Sequence, residues 1–285
     1  MSGPAPVERD SRGILDPWLL RQRVRLSRYP AGAGLEGVVD RFWAVRWDLP
    51  PGVAHQQQVL THPGANVSVG NANARPGDRE AGPVEARLNG VARRLTTRVL
   101  VGQGWAVAAM TRPGGLGAFI TGPASGLTDR VVPLGEAIAV DGAALLARVV
   151  AEPDEAARIG LLAAALEQAL VPDRVGPASQ VAGVARLAET NRAVRRLVDL
   201  CGLAGIRQRT LQRLFGEYAG VSPTWVIRRY RLQEAAEAVR EGAPVSWAQV
   251  AADLGYADQA HLIRDFRAAI GQTPAAYAQA QAPSS

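Results

Sequence analysis

Lysine is absent from this 285-residue sequence, and all 32 of its basic residues are arginines. Cysteine is nearly absent as well, and Cys201 alone cannot form an intramolecular disulfide or a zinc site built from several thiolates. Apolar runs such as residues 161–166 are far shorter than the roughly 18 residues that span a bilayer. Residues 1–12 carry charges of both signs and lack the apolar stretch of a signal peptide. These absences predict a cytoplasmic protein without a membrane partner.

The remaining composition is that of a globular protein. Hydrophobic residues make up 47% of the chain and charged residues 20%, which excludes wholesale disorder. A length of 285 residues allows one large domain or two modest ones. From residue 186 to the end, 13 arginines stand against 9 carboxylates, so this third of the chain is mildly basic. That balance permits an anionic partner without requiring one.

The sequence pattern changes along the chain. Short apolar stretches between glycine, proline and asparagine fill residues 24–120, as is typical of strands in a small barrel or sandwich. Helical periodicity follows over residues 141–150 and 154–171. We therefore predict an α+β chain with four parts. These are a flexible tail (1–16), a mainly β, barrel-like domain with helices (17–171), a PDRVGP linker (172–177) and an all-α domain (178–285).

An apolar stripe on the second of these helices has two interpretations. Ile159, Leu162, Leu166 and Leu170 recur at steps of three and four residues, which places them on one helix face. That face either covers the β domain or forms the interface of a homodimer. The sequence favours neither alternative.

The C-terminal region repeats itself at an offset of 51 residues. The matched pairs include Leu211 with Leu262, Arg213 with Arg264, and Phe215 with Phe266. In each copy the leucine and phenylalanine share a helix face, and the arginine between them lies on another face. A short apolar helix and a glycine-bearing turn precede each copy, which is the order of a helix-turn-helix whose second helix enters the major groove. The alternative is a pair of helical hairpins that pack together without a ligand.

The repeat also carries a family resemblance. Its segments are LQRLF at 211–215, GVSP at 220–223, RYRL at 229–232, VAADLGYADQAHLIRDF at 250–266 and GQTP at 271–274. With these residues, roughly the last third of the chain resembles the AraC/XylS family of transcription regulators. The resemblance implies two helix-turn-helix subdomains joined by a helix of roughly 28 Å that starts at Pro223.

The resemblance further implies which side chains face DNA. The reading helices would cover residues 207–218 and 258–270. Glutamine and arginine suit the edges of adenine and guanine, and side chains at a helix start also suit phosphate. The implied residues are Arg207, Gln208, Arg209, Gln212 and Arg213 in the first helix, and Gln259, His261 and Arg264 in the second. For each of them the alternative is a solvated surface residue.

Two positions depart from the family pattern. Arg207 stands where the family usually has a serine, and an arginine side chain cannot accept the hydrogen bond that caps a helix start. The first reading helix is therefore expected to start elsewhere or to be capped by water. Cys201 stands where a small alanine is usual, on the apolar side of its hairpin, so we expect it to pack rather than to sense redox state.

The N-terminal part resembles an uncharacterised domain of actinobacterial members of this family, through GVARRL at 90–95, GQGW at 102–105 and RPGGL at 112–116. Such domains commonly sense a small molecule or dimerise. The candidates for an effector pocket are Trp43, Trp47, Trp105 and Phe119 as its walls, and Arg112, with Arg93 and Arg94, for an anionic group. The alternative is an aromatic core with surface arginines.

Patterns for catalysis and metal binding are missing from the sequence. His55 and His62 are seven residues apart, and no His-x-His with a following carboxylate occurs, so no metal site is predicted. Ser125 lacks a glycine two residues to either side and cannot form a nucleophile elbow. The single thiol lies within the repeat, which argues against alkyl-transfer repair chemistry. We therefore predict no catalytic residues and no cofactor.

The repeat and the resemblance together predict a sequence-specific regulator that binds double-stranded DNA. The resemblance further implies that it acts together with RNA polymerase, that its N-terminal domain binds a small-molecule effector, and that activation is its mode of control. The alternative is a dimeric architectural or co-regulatory DNA-binding protein whose N-terminal domain binds no small molecule.

Overall fold

The computed structural model describes residues 24–59, 62–74, 78–240 and 245–281, and the tail predicted for residues 1–16 lies outside them. Its strands are β1 Val24–Pro30, β2 Val39–Asp48, β3 Ala54–Val59, β4 Asn66–Asn71, β5 Val84–Asn89, β6 Thr96–Val101, β7 Gln103–Thr111 and β8 Val131–Pro133. The helices of the N-terminal part are α1 Leu134–Ala137, α2 Gly142–Ala151, α3 Glu155–Gln168 and α4 Pro172–Thr190. The C-terminal helices are α5 Leu197–Ala204, α6 Gln208–Leu214, α7 Pro223–Arg240, α8 Trp247–Asp253, α9 Gln259–Ile270 and α10 Pro274–Gln281.

The strands form two antiparallel sheets. The large sheet has the order β1-β2-β7-β4-β5-β8, and the small sheet pairs β3 with β6. Because β1 and β8 lie at opposite edges of the large sheet and are not hydrogen-bonded to each other, the sheet does not close. The prediction of an α+β chain with a mainly β N-terminal domain is confirmed, whereas its strands form an open sheet rather than a closed barrel.

One face of the large sheet packs against helices. Phe42 on β2, Val67 on β4 and Val107 on β7 are fully buried there, since alternate residues of a strand face the same side. Leu162 and Leu166 of α3 belong to the same core and are 0% and 1% exposed. The apolar stripe of α3 therefore covers the sheet, and its buried leucines do not form a free surface for a second copy of the chain.

The other face of the large sheet is partly covered by the small sheet. Trp47 is buried on this side, and its Nε1 donates a hydrogen bond to the carbonyl of Val101 on β6 at 3.1 Å. Val24, Leu49 and the partly buried Leu100 complete a small apolar cluster around it. Ser68 and Asn89 add polar side chains to this face.

Residues 172–177, for which the sequence predicts a linker, form the first turns of α4. Pro172 occupies the first helical position, which needs no backbone donor. Pro177 lies inside the helix, where it removes one backbone hydrogen bond. Burial of Ala178 and Val181 directly after it stabilises the helix by packing, and this overrides the local preference of the sequence.

The C-terminal helices form two small cores. Leu211 and Phe215 are buried in the first, together with residues of α4, and Leu262 and Phe266 are buried in the second. The leucine and phenylalanine that the repeat predicts to share a buried face thus do so in both copies. Among the residues described, no helix is long and apolar enough to cross a membrane.

Candidate nucleic-acid interface

The first helix-turn-helix consists of α5 and α6. The carboxylate of Asp199 accepts hydrogen bonds from the backbone of Arg195 and Arg196, which fixes the start of α5. Gly205 ends α5 with a φ of 65°, a left-handed conformation that glycine adopts without strain. The chain then turns within three residues into α6, so the two helices pack on one another.

The polar side of α6 faces solvent. Leu211 is fully buried, whereas the residues implied by the resemblance are all exposed. These exposed residues are Arg207, Gln208, Arg209, Gln212 and Arg213. The α-helix ends at Leu214, and one wider helical turn follows over Phe215–Ala219. The segment predicted as a single helix over 207–218 therefore consists of an α-helix and a wider turn. The structure thus presents five polar side chains on a short, packed helix.

The second helix-turn-helix consists of α8 and α9. Ser246 caps α8 by accepting a hydrogen bond from the backbone of Gln249, and Gly255 between the helices has a φ of 63°. Asp258 caps α9, accepting from the backbone of His261 at 2.6 Å. This helix matches the predicted residues 258–270 when the capping residue is included.

The three predicted contact residues of α9 differ in their surroundings. Gln259 and Arg264 are exposed. The ring of His261 is half-buried, with its centroid 5.0 Å from that of Tyr256, and its Nε2 lies 3.9 Å from the carboxylate of Asp265. Gln259 and Arg264 are therefore accessible from solvent, while His261 already has partners on its own subdomain.

Arg207 occupies the capping position of α6 but makes no side-chain capping bond there. Its φ of −63° and ψ of 142° are those of a typical capping residue. The helix therefore begins where the repeat places it, although its first backbone donors lack the side-chain acceptor that Asp258 supplies in the second copy.

Arg207→Ser is expected to stabilise the protein by about 1 kcal/mol, because the hydroxyl can accept a hydrogen bond from the first turn of α6. Asp258→Ala is the matched opposite change and is expected to cost about 1 kcal/mol. Urea denaturation followed by circular dichroism measures both. A loss of stability in Arg207→Ser would show that the arginine stabilises the helix start in another way.

Arginines hold the two subdomains together across the linking helix α7. Arg228 donates to the carbonyl of Gly255 at 3.2 Å, and its guanidinium lies 4.3 Å from the ring centroid of Tyr256. Arg195, just before α5, forms a 2.7 Å ion pair with Asp253 of α8. At 18 residues, α7 is about 27 Å long, close to the rise of one DNA turn.

The first subdomain is packed against the N-terminal domain. Val91 is buried in the core of the first subdomain, and the hydroxyl of Thr128 donates to the carbonyl of Gly220 at 2.7 Å. Arg174 of α4 donates to the carbonyl of Gly117 and forms a 2.9 Å ion pair with Glu217. These contacts join residues far apart in sequence, so no local pattern could have predicted them.

The second subdomain meets the N-terminal domain through residues 90–95, which we call the connecting segment because it joins β5 to β6. The backbone N–H of Leu95 donates to the carbonyl of Ala268 in the last turn of α9 at 2.7 Å. The last four backbone carbonyls of a helix accept no hydrogen bond from within the helix, and the carbonyl of Ala268 is one of these four in α9. Arg229 of α7 donates to the carbonyl of Arg93 at 2.7 Å. The connecting segment therefore touches both the linking helix and the second reading helix.

Arg229 is nearly fully buried at this contact. Its guanidinium lies 4.7 Å from the ring centroid of Trp225, and its Nη1 is buried without a hydrogen-bond partner. Burial lowers the pKa of Arg229 to about 10. The guanidinium of Arg229 is thus a cation removed from water, and loss of its hydrogen bond to the carbonyl of Arg93 would destabilise the folded protein.

The predicted effector residues are distributed over both faces of the large sheet. Trp43 and Trp47 lie on the face toward the small sheet. Phe119 is buried in the helix-side core, and Trp105 lies under the guanidinium of Arg158 at 3.8 Å. Arg112 donates to the carbonyl of Glu36 and lies 3.6 Å from Asp40. The structure brings Trp43 and Trp47 to one side and does not bring the five residues into one pocket.

The remaining candidates are placed as follows. Arg93 forms a 2.7 Å ion pair with Asp129. Cys201 packs against the first subdomain core, and desolvation raises the pKa of its thiol. In the part of the chain that the structure describes, no group of three metal-ligating side chains comes together.

Comparison with known proteins finds two family matches in the chain. Residues 200–280 match the family described as a helix-turn-helix domain, and residues 27–133 match a domain of unknown function (DUF6597). No curated protein sequence is similar to the chain.

Several solved structures are similar, at low identity. The C-terminal domain of AraT, a response regulator from Geobacillus stearothermophilus, is 19% identical over 37% of this chain and 88% of its own, with a TM-score of 0.30. ToxT from Vibrio cholerae bound to a naphthalenyl butenoic acid is 13% identical over 91% and 100%, with a TM-score of 0.38. ToxT bound to an unsaturated fatty acid is 13% identical over 83% and 94%, with a TM-score of 0.36.

The match at residues 200–280 coincides with the duplicated helix-turn-helix and its exposed arginines. The segments that carry the AraC/XylS resemblance all lie within these matched residues, on α8, the reading helices, the turns and the linking helix. The chain therefore carries a helix-turn-helix DNA-binding domain of the AraC type at its C-terminal end, with a domain of unknown function ahead of it.

Proposed function

We propose that the chain recognises one asymmetric DNA site of about 20 base pairs, with α6 and α9 in successive major-groove segments. The side chains that contact DNA are Arg207, Gln208, Arg209, Gln212, Arg213, Gln259, His261 and Arg264. It acts in the cytoplasm as an effector-modulated activator and contacts RNA polymerase when bound. The single observation that supports DNA recognition is that Arg213 and Arg264 occupy equivalent, exposed positions on two packed helices.

Control by the N-terminal domain is supported by the connecting segment. The hydrogen bond from Leu95 to Ala268 and that from Arg229 to Arg93 fix α9 and α7 relative to the β domain. The contact lies at the last turn of α9, far from its first turn, and Gln259 remains exposed. We propose that this docked arrangement orients the two reading helices for DNA, and that an effector acts by strengthening or releasing it.

Fluorescence anisotropy of purified protein tests the DNA-binding proposal. The labelled targets are fragments from upstream of its own gene and a genomic fragment pool, each compared with scrambled DNA over a salt series. We expect a preference of about a thousandfold or more for a specific site, with affinity falling steeply as salt rises. An equal affinity for all sequences, in the full chain and in residues 178–285, would overturn sequence-specific recognition.

Leu95→Pro tests the role of the docked arrangement. Proline lacks the N–H that bonds to Ala268, so the second subdomain is released and must be ordered when DNA binds. We expect a loss of specific affinity of about threefold to tenfold. Leu95→Ala keeps the N–H and is expected to bind like the natural protein.

The outcomes of this comparison separate three arrangements. A gain of affinity in Leu95→Pro would mean that docking inhibits DNA binding, which contradicts the proposed orienting role. Equal affinities for both variants would mean that the N-terminal domain is a scaffold or dimerisation unit, as in an architectural or co-regulatory protein that senses no small molecule.

A further inference from the structure

A cluster of polar side chains lies on the face of the large sheet that is turned toward the small sheet. Trp43 donates from Nε1 to Oδ1 of Asn66 at 3.1 Å. Asn89 donates from Nδ2 to the hydroxyl of Ser68 at 3.1 Å and to the carbonyl of Asn66 at 3.3 Å. These residues belong to β2, β4 and β5, which lie within one sheet and present them on the same side. Hydrogen bonding within the cluster therefore fixes the positions of the amides and of the indole.

Arg98 reaches this cluster from the small sheet. Its Nη2 donates to Oδ1 of Asn89 at 3.0 Å. In the described part of the chain, its guanidinium forms a hydrogen bond to this amide oxygen and no ion pair with a carboxylate. A partly buried guanidinium without an anionic partner is unfavourable in a folded protein.

Arg87 lies next to Arg98 and adds a second positive charge. Its Nη1 is 3.3 Å from the partly exposed carboxylate of Glu85, and its Nη2 donates to the carbonyl of Asn71 at 3.2 Å. Its Nε is buried and has no hydrogen-bond partner. Desolvation and the nearby charge of Arg87 lower the pKa of Arg98. Together the two arginines leave donors and positive charge without enough acceptors.

We propose that Arg87 and Arg98 form the binding site for a small organic molecule that carries an oxyanion, with the body of the molecule against Trp43 and with Asn89 as the partner that holds Arg98 when the anion is absent. Guanidinium groups bind carboxylate and phosphate oxygens through paired, charge-assisted hydrogen bonds. The oxyanion provides a negatively charged partner for Arg98, and one of its oxygens accepts a hydrogen bond from the unpaired Nε–H of Arg87. The indole of Trp43, fixed by Asn66, provides an apolar surface beside it.

The location of this site connects it to DNA binding, a step that rests on the proposed function. Asn89 is the last residue of β5, and Arg98 is the third residue of β6. The connecting segment joins these two strands and holds α7 and α9 through Arg93 and Leu95. An anion that draws Arg98 away from Asn89 therefore acts on both ends of the segment that orients the second subdomain.

Thermal denaturation of the full-length protein tests the site with defined probes. The probes are inorganic phosphate, 3-phenylpropanoate and its neutral amide, each at constant ionic strength. We expect phosphate or the carboxylate to raise Tm by about 2–4 °C at tenfold excess over Kd, and the amide to have no effect. The comparison of phosphate with the carboxylate shows which oxyanion the site prefers.

Arg98→Gln is the decisive variant, since glutamine can still donate to Asn89 but carries no charge. It is expected to lose the anion-dependent rise in Tm, while its Tm without anion is equal to or above that of the natural protein, because one of two like charges is gone. Arg148→Gln, at an exposed arginine of α2, is the control and is expected to keep the full response. Anions that bind the DNA-reading arginines raise Tm equally in the natural protein and in the two variants, so they do not affect the comparison.

Three results would overturn the proposal. The first is the same anion response in Arg98→Gln and in the natural protein, and the second is no response to any anion in the natural protein. The third is a fall in Tm for anion-free Arg98→Gln, which would show that the arginine is a structural partner of Asn89. Anisotropy on the same samples keeps the two proposals separate, because DNA binding that persists without an anion response removes only the anion site.

Discussion

The double variant Arg213→Ala with Arg264→Ala is expected to lose specific DNA binding while keeping its fold. Each arginine lies on the exposed side of a reading helix, at the equivalent position of the two repeats. An arginine that forms paired hydrogen bonds with guanine contributes about 1–3 kcal/mol of discrimination, so each single change is expected to weaken specific binding by about 5- to 150-fold. The two positions lie on different subdomains, and their effects are expected to add.

The measurement is anisotropy with the selected site and with scrambled DNA, for both single variants and the double variant. Loss of readout weakens binding to the selected site much more than binding to scrambled DNA, whereas loss of phosphate contacts weakens both equally. Circular dichroism is expected to be unchanged, since neither side chain takes part in a core. Arg46→Ala with Arg148→Ala removes the same charge from exposed positions of the N-terminal domain and is the matched control.

Natural affinity in both single variants would contradict the assigned reading face. A loss equal for the selected and scrambled sites would instead assign Arg213 and Arg264 to the phosphate backbone. If only one variant loses discrimination, the corresponding helix alone reads bases, and the other subdomain positions the protein.

The C-terminal domain could be predicted closely because its information is local. The four-residue spacing of Leu211 and Phe215 defines a buried face, and its recurrence at Leu262 and Phe266 excludes a chance pattern. The residue type at Arg207 predicts no side-chain cap, and no side-chain capping bond is present there. The buried and exposed sides of α6 and α9 follow from intervals of a few residues, whereas the wider turn over Phe215–Ala219 does not.

The N-terminal domain could be predicted less well because its arrangement depends on strand pairing. Trp43 and Trp105 are both aromatic, but their strands present them on opposite faces of the sheet. Arg87 and Arg98 belong to different sheets, and only the fold brings their charges together. The sequence around Pro177 favours a linker, and only the packing of α4 shows why it forms a helix.

The two helix-turn-helix subdomains differ in what supports them. Phe215 shares its core with Val91 of the N-terminal domain and with Val181 of α4. Among the described residues, Phe266 lies in a separate core whose members all come from α7 onward, including Leu232 and Tyr277. Unfolding of the first subdomain therefore exposes apolar surface of the N-terminal domain, whereas unfolding of the second breaks polar contacts such as those of Leu95 and Arg229 and leaves the apolar cores of the other described residues intact.

Phe266→Ala is expected to unfold the second subdomain while the rest of the chain stays folded. Its ring lies in edge-to-face contact with Trp247 at 4.8 Å and with Tyr277 at 5.9 Å, and removal of a buried phenylalanine costs about 3–5 kcal/mol. That cost is comparable to the whole stability of so small a unit. Hydrogen exchange measured by mass spectrometry is expected to show loss of protection in peptides from residues 247–277 and normal protection in α4.

Phe215→Ala is the matched comparison, because the same ring is lost at the equivalent position of the first repeat. Its cost is expected to spread to α4 and to the residues around Val91, so protection falls across the boundary between the domains. Phe266→Ala should also lose the contribution of α9 to DNA binding, since Gln259 and Arg264 no longer lie on a folded helix. A cooperative loss of protection throughout the chain in Phe266→Ala would show that the contacts of Leu95 and Arg229 couple the second subdomain to the N-terminal domain strongly enough to make one folding unit.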